Sequence, residues 1–207
     1  HNGSFNFIMD QIDSRAKVIY GSTAGGARFP YLDKSVDVMF LVAYHAKAGT
    51  LNATLEHTMS SQHYFKITAN GREIGEVGID AGIAGCLDIP VVLVTGDDKV
   101  CAEAKELLGD IATAKVKIGL GRHQALCLAP EKTREIIMQA AKKAVKLKDK
   151  VEPLKFASPV EVVITYKHTE YADNDILRGI NGERVDAYTV KRKYRDIAQW
   201  YGGLWQG

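Results

Sequence analysis

Cysteine is scarce in this 207-residue sequence: Cys86, Cys101 and Cys127 are an odd, widely spaced set with no C-x-x-C pair. That excludes a disulfide framework, and their small or apolar neighbours predict buried free thiols in a reducing compartment. No apolar stretch reaches the roughly twenty residues that span a bilayer, and no basic, apolar and small-residue signal opens the chain. A membrane protein is excluded and a cytoplasmic location is expected. Net charge is nearly absent, since 27 Lys and Arg against 25 Asp and Glu leave +2. So weak a field recruits neither nucleic acid nor anionic lipid. Internal repeats, low-complexity tracts and an initiator methionine are absent as well.

What remains is 46% hydrophobic and 25% charged, enough to bury one main core. Apolar spacing at Phe5, Ile8, Met9 and Ile12 predicts a short helix with Ser4 as its N-cap, and residues 17–20 read as a strand. The glycines of residues 21–30, G-S-T-A-G-G-A-R-F-P, lack both the G-K-[ST] of a P-loop and the dinucleotide fingerprint, so that stretch reads as a connection. Residues 36–42, V-D-V-M-F-L-V, read as the clearest core strand. Residues 63–69 alternate, meet Asn70-Gly71 and return over residues 72–74 as a hairpin.

Residues 75–86 form a small-residue helix suited to close packing, and residues 89–98 form another buried strand. A helix over 99–108 stopped by Gly109, a strand over 113–118 and a long amphipathic helix opened by Pro130 follow. A linker over 151–159 leads to strands at 160–166 and 185–191, a polar segment at 167–184 between them, and a closing helix from 194. The alternation predicts an α/β fold with a layered, mostly parallel sheet flanked by helices, and a smaller C-terminal α+β portion. Residues 1–150 read as the main domain and 151–207 as an extension, packed on it or at an oligomer interface.

Two of only six histidines, His45 and His57, lie just past the 36–42 strand, where open α/β sheets bind ligands. Histidine ligates zinc and titrates near neutrality, so the pair suggests a metal or acid-base site, although a separation of twelve matches no zinc motif. Glu76, at the amino end of the small-residue helix, could join them, and the helix dipole favours a carboxylate there with or without metal. Asp80, one turn on, faces the same side as a supporting partner.

Four ordered motifs then carry a resemblance: Y-H-A-K-A-G-T, L-E-H-T-M, A-N-G-R-E-I-G-E-V-G-I-D-A and I-P-V-V-L-V-T-G-D-D. Their order over almost the whole chain, as far as G-E-R-V-D-A-Y-T-V, resembles the self-compartmentalising zinc D-aminopeptidases of the DppA type. The resemblance implies a metallo-aminopeptidase with two Zn2+ ions per subunit and a metal-activated bridging water. It makes His45 and Glu76 metal ligands, gives His57 a catalytic part, and places His1 where the family has a further metal-binding histidine. Substrates would be short peptides or amino-acid amides with a D-residue at the amino end, and subunits would form a homo-oligomer, a decamer of stacked rings. The S-x-D-x-E-G motif that supplies the family's bridging aspartate occurs nowhere here, so the sequence reads as lacking the family's first strand and helix. Two alternatives therefore stand beside the D-aminopeptidase: an amidohydrolase of the same fold acting on L- or non-peptide substrates, and a non-catalytic subunit.

Overall fold

Residues 7–21, 27–178 and 181–203 are described by a computed structural model of the chain. In chain order the strands are β1 (Met39–Tyr44), β2 (Tyr64–Ala69), β3 (Arg72–Glu73), β4 (Val91–Asp97) and β5 (Ala112–Gly121). They continue with β6 (Gln124–Cys127), β7 (Val160–Tyr166), β8 (Glu183–Arg184) and β9 (Thr189–Tyr194). The helices are α1 (Glu76–Gly85), α2 (Asp98–Leu108), α3 (Pro130–Val145), α4 (Thr169–Arg178) and α5 (Ile197–Gly203).

The strand with the most continuous apolar run takes the centre of the first sheet. Every residue of β4 is buried, because β1 and β5 flank it in parallel and helices cover it. Val77 and Ala81 of α1, Ala104 of α2 and Ala144 of α3 share its core. Each fully buried aliphatic side chain there contributes about 1.5–3 kcal/mol. The sheet runs β1-β4-β5-β6 with only β6 antiparallel, the layered and mostly parallel arrangement that the strand-helix alternation predicts.

The second sheet, β3-β2-β7-β9-β8, is antiparallel throughout and draws strands from both sides of residue 150. Its core gathers Ile67, Ile164, Ile197 and Trp200 around Ile79. Helix α1 thus serves two cores, Val77 and Ala81 one and Ile79 the other. A helix packed on both sides needs small residues: a Cβ on Gly85 would lie 1.8 Å from the Leu154 carbonyl oxygen, so the 151–159 crossing can lie directly on α1.

Several expectations need correction. The helix predicted near the start shrinks to a 3-10 turn, Met9–Gln11, without a side-chain cap; Ser4 and Phe5 fall outside the described residues. Residues 17–20 form no strand, since they find no ladder partner among the described residues, and Ile19 and Tyr20 stay exposed. The 36–42 strand begins at Met39 and, among the described residues, is an edge strand with Val42 exposed. Strand β6 and helix α4 were hidden: β6 is mostly exposed, and α4 buries little beyond Ala172. Of the cysteines, Cys101 alone is buried; Cys86, at the end of α1, and Cys127, on β6, are exposed. No helix among the described residues is long and apolar enough to cross a membrane.

Candidate metal centre

The carboxyl end of β1 is bent toward α1 by a register shift between Leu41 and Tyr44. Ala43 takes a left-handed backbone, φ 62°, and its N–H donates to Thr95 Oγ1 at 2.9 Å. Such a bulge re-aims the residues after it. Tyr44 and His45 consequently leave the sheet facing the start of α1.

The loop that returns to His57 is anchored in the first core by Ala46 and Ala53 and is held elsewhere by polar bonds. His57 N–H donates to the Ala46 carbonyl at 3.3 Å, Ala48 N–H to Thr58 Oγ1 at 3.1 Å, and Thr54 N–H to Asp97 Oδ2 at 2.8 Å. Glu56 accepts from Gly49 N–H at 2.6 Å and from the Arg122 guanidinium. Within this loop Asn52, Leu55 and Met59 all have positive φ, a conformation that costs about 1–2 kcal/mol for residues with a Cβ. Strain of this kind is retained where surrounding bonds over-determine the backbone, and it gathers at functional sites.

Glu76 opens α1 immediately after Gly75. A Cβ on Gly75 would lie 2.6 Å from Lys47 Cβ and 2.7 Å from Glu103 Oε1, so only glycine lets the helix start approach the loop behind His45. The Lys47 N–H donates to Glu103 Oε2 at 2.8 Å, fixing that loop from below.

Three atoms converge as a result. His45 Nε2 lies 3.4 Å and His57 Nε2 3.5 Å from the same oxygen, Glu76 Oε1, and the two imidazoles stack with centroids 3.8 Å apart. Both rings commit the opposite nitrogen to the backbone: Nδ1–H of His45 donates to the Ala46 carbonyl at 3.1 Å, and that of His57 to the Leu55 carbonyl at 2.6 Å. A neutral ring so tied presents a lone pair at Nε2. Two ring nitrogens and a carboxylate oxygen facing each other are a donor set that a cation, a proton or a metal ion, can join. All three lie within 4.8 Å of one another, a spacing a metal could bridge. Imidazole nitrogen and carboxylate oxygen are the donor types of a zinc site, with bonds of about 2.0–2.2 Å.

The electrostatics agree. Burial alone would raise the Glu76 carboxyl, but His45, Arg28 and His57 hold it down to about 2, so it stays ionised. Burial opposes protonation of His45, and Glu76 outweighs it, leaving the imidazole pKa raised. Arg28 Nη2 donates to Glu76 Oε2 at 3.1 Å, while its Nε and Nη2 hold the buried Asp80 at 2.8 and 2.9 Å. Asp80 also accepts the Tyr44 hydroxyl at 2.6 Å. The Met59 N–H donates to Glu76 Oε1 at 3.0 Å.

His45, His57 and Glu76 are therefore brought together, and Asp80 joins them through Arg28. His1 lies outside the described residues. Sequence reasoning missed Arg28, in a loop with no periodicity, and also Tyr44, Glu103 and the Met59 amide, whose roles depend on tertiary approach. The cluster opens into a cavity of about 720 Å³ lined also by Phe29, Met59, Gln62, Arg122 and Tyr201. A shallow hollow of about 890 Å³ over β7 and β9, lined by Phe65, Tyr166, His168 and Tyr188, lies apart from the cluster.

Known proteins show the same arrangement of chain. The D-aminopeptidase of Bacillus subtilis strain 168 is 28% identical over 208 residues, covering 99% of this chain and 74% of that protein. Among solved structures, the Zn-dependent D-aminopeptidase DppA from Bacillus subtilis, a self-compartmentalizing protease, superposes with a TM-score of 0.92 at 28% identity, over 99% of this chain and 74% of its own. The Peptidase_M55 family, described as D-aminopeptidase, matches residues 1–205. This chain belongs to that family and is a peptidase of its fold.

Proposed function

We propose that this chain is a zinc-dependent aminopeptidase that releases the amino-terminal residue, preferentially a D-residue, from short peptides or amino-acid amides. The observation that carries the proposal is the convergence of His45 Nε2, His57 Nε2 and Glu76 Oε1 at one end of an open cavity. His45 and Glu76 are assigned as zinc ligands and His57 as the catalytic group. The division between the two histidines follows the family resemblance; both side chains are largely covered, 10% and 14% exposed, and both line the cavity.

Bound zinc supplies a polarising charge for a scissile carbonyl and lowers the pKa of a neighbouring water toward neutrality. The residues of the chain do the rest. Glu76 stays ionised, and His45 presents Nε2 because Nδ1–H is held by its own loop. His57, its ring locked through the Leu55 carbonyl, holds Nε2 where a proton can be taken up and returned to the leaving amine. Two zinc ions per subunit are part of the proposal, with His1 assigned to the metal site. So are a cytoplasmic location and assembly into a homo-oligomer that encloses the sites, a decamer in the arrangement the family resemblance implies.

The test is zinc content and turnover of D-alanyl and L-alanyl peptides. His45→Ala and Glu76→Ala lose zinc; His57→Ala keeps zinc and loses turnover. Equal zinc retention in all three variants overturns the ligand assignment, and faster release from L-alanyl peptides overturns the D-preference.

A further inference from the structure

Arg28 stands outside the three-residue cluster yet touches its carboxylate. The two oxygens of Glu76 are divided between different partners: Oε2 faces the Arg28 guanidinium at 3.1 Å, and Oε1 faces both imidazoles and the Met59 amide. The guanidinium is held in this place. Two further bonds fix it on Asp80, its side chain is only 21% exposed, and it lies 5.4 Å from the Tyr201 ring centroid and 5.8 Å from that of Phe29.

A carboxylate binds a metal through one oxygen or through both. Closing both oxygens on one ion adds a ligand and fills a position, and a catalytic zinc differs from a structural one in keeping a position for water or substrate. A planar guanidinium that spans two carboxylates is suited to prevent this, since its fork engages one fully and one atom of the other. A lysine, as a point charge, could not hold both in a fixed plane.

We propose that Arg28 is a positioning residue that reserves Oε2 of Glu76, so that the carboxylate offers a single oxygen, Oε1, to a metal ion at His45. This rests on the zinc assignment above and specifies how its coordination is kept open. Arg28 also places a fixed positive charge beside the metal position, which weakens cation binding. Removing it frees the second oxygen and removes the repulsion together.

The experiment uses cobalt(II) as a spectroscopic substitute for zinc, together with zinc affinity from chelator competition. Arg28→Gln alone leaves the buried Asp80 carboxylate without its partner and can fail to fold, so Arg28→Gln/Asp80→Asn carries the test and circular dichroism verifies its fold. In the double variant, which removes one charge of each sign, the visible cobalt bands weaken and move to shorter wavelength as the second oxygen of Glu76 joins the ion. A folded double variant with the wild-type cobalt spectrum overturns the role of Arg28 while leaving the zinc assignment standing. Wild-type protein that binds neither metal overturns both.

Discussion

The Tyr44 hydroxyl donates to Asp80 Oδ2 at 2.6 Å, tying the last residue of β1 to the helix that Glu76 opens. Tyr44 immediately precedes His45, and Asp80 follows Glu76 by one turn, so this bond sets the spacing of two assigned ligands. Tyr44→Phe removes the hydroxyl and keeps the ring. Thermal or urea unfolding is expected to show a loss of about 1.5–3 kcal/mol, the range for a hydrogen bond to a charged group. Chelator competition is expected to show weaker zinc retention.

Gly75→Ala drives a methyl group into Lys47 Cβ and Glu103 Oε1. Overpacking of this kind typically costs about 1–3 kcal/mol. Because Gly75 immediately precedes Glu76 and the displaced Lys47 follows His45 by two residues, zinc affinity falls together with the unfolding midpoint. A variant with wild-type zinc affinity and lowered stability would separate Gly75 from the site.

Glu103 gives a pH dependence with a definite sign. Its carboxyl pKa is raised by burial, against the Lys47 N–H that favours the ionised form. A carboxyl whose folded pKa exceeds its unfolded value stabilises the fold most below the unfolded value, near 4.5. That advantage is lost as pH rises through the folded value. Glu103→Gln retains an oxygen for the Lys47 N–H and never ionises. Urea midpoints are therefore expected to favour the variant at pH 7 to 8 and to converge with wild type near pH 4.

The cysteines differ in a way that alkylation reads directly. Burial pushes the Cys101 thiol up to about 11, so little reactive thiolate exists at pH 8 and access is closed as well. Cys86 and Cys127 are exposed. Iodoacetamide on the native protein is expected to add at most two labels by mass, with Cys101 modified only on unfolding.

Much of this was legible in the residues because it is local. The β4 run, the Asn70-Gly71 hairpin and the Gly109 helix stop are short-range patterns, and each falls where it was expected. The nearness of His45, His57 and Glu76 was legible only as a possibility, since three chain segments must meet for it to exist. Arg28 and Glu103 were not legible, because one sits in an irregular loop and the other among ordinary charged helix residues. Their significance lies in what they touch. The buried-thiol expectation failed for the same reason at Cys127: apolar neighbours in sequence, Leu126 and Leu128, are themselves exposed.

The central claim is that His45 and Glu76 hold one zinc ion between Nε2 and Oε1 while His57 faces the substrate. Crystals grown with zinc and measured on both sides of its absorption edge test this directly. The predicted result is an anomalous-difference peak about 2.0–2.2 Å from His45 Nε2 and Glu76 Oε1, and beyond bonding distance of His57. A map with no peak between His45 and Glu76, from crystals whose solution binds zinc, contradicts it.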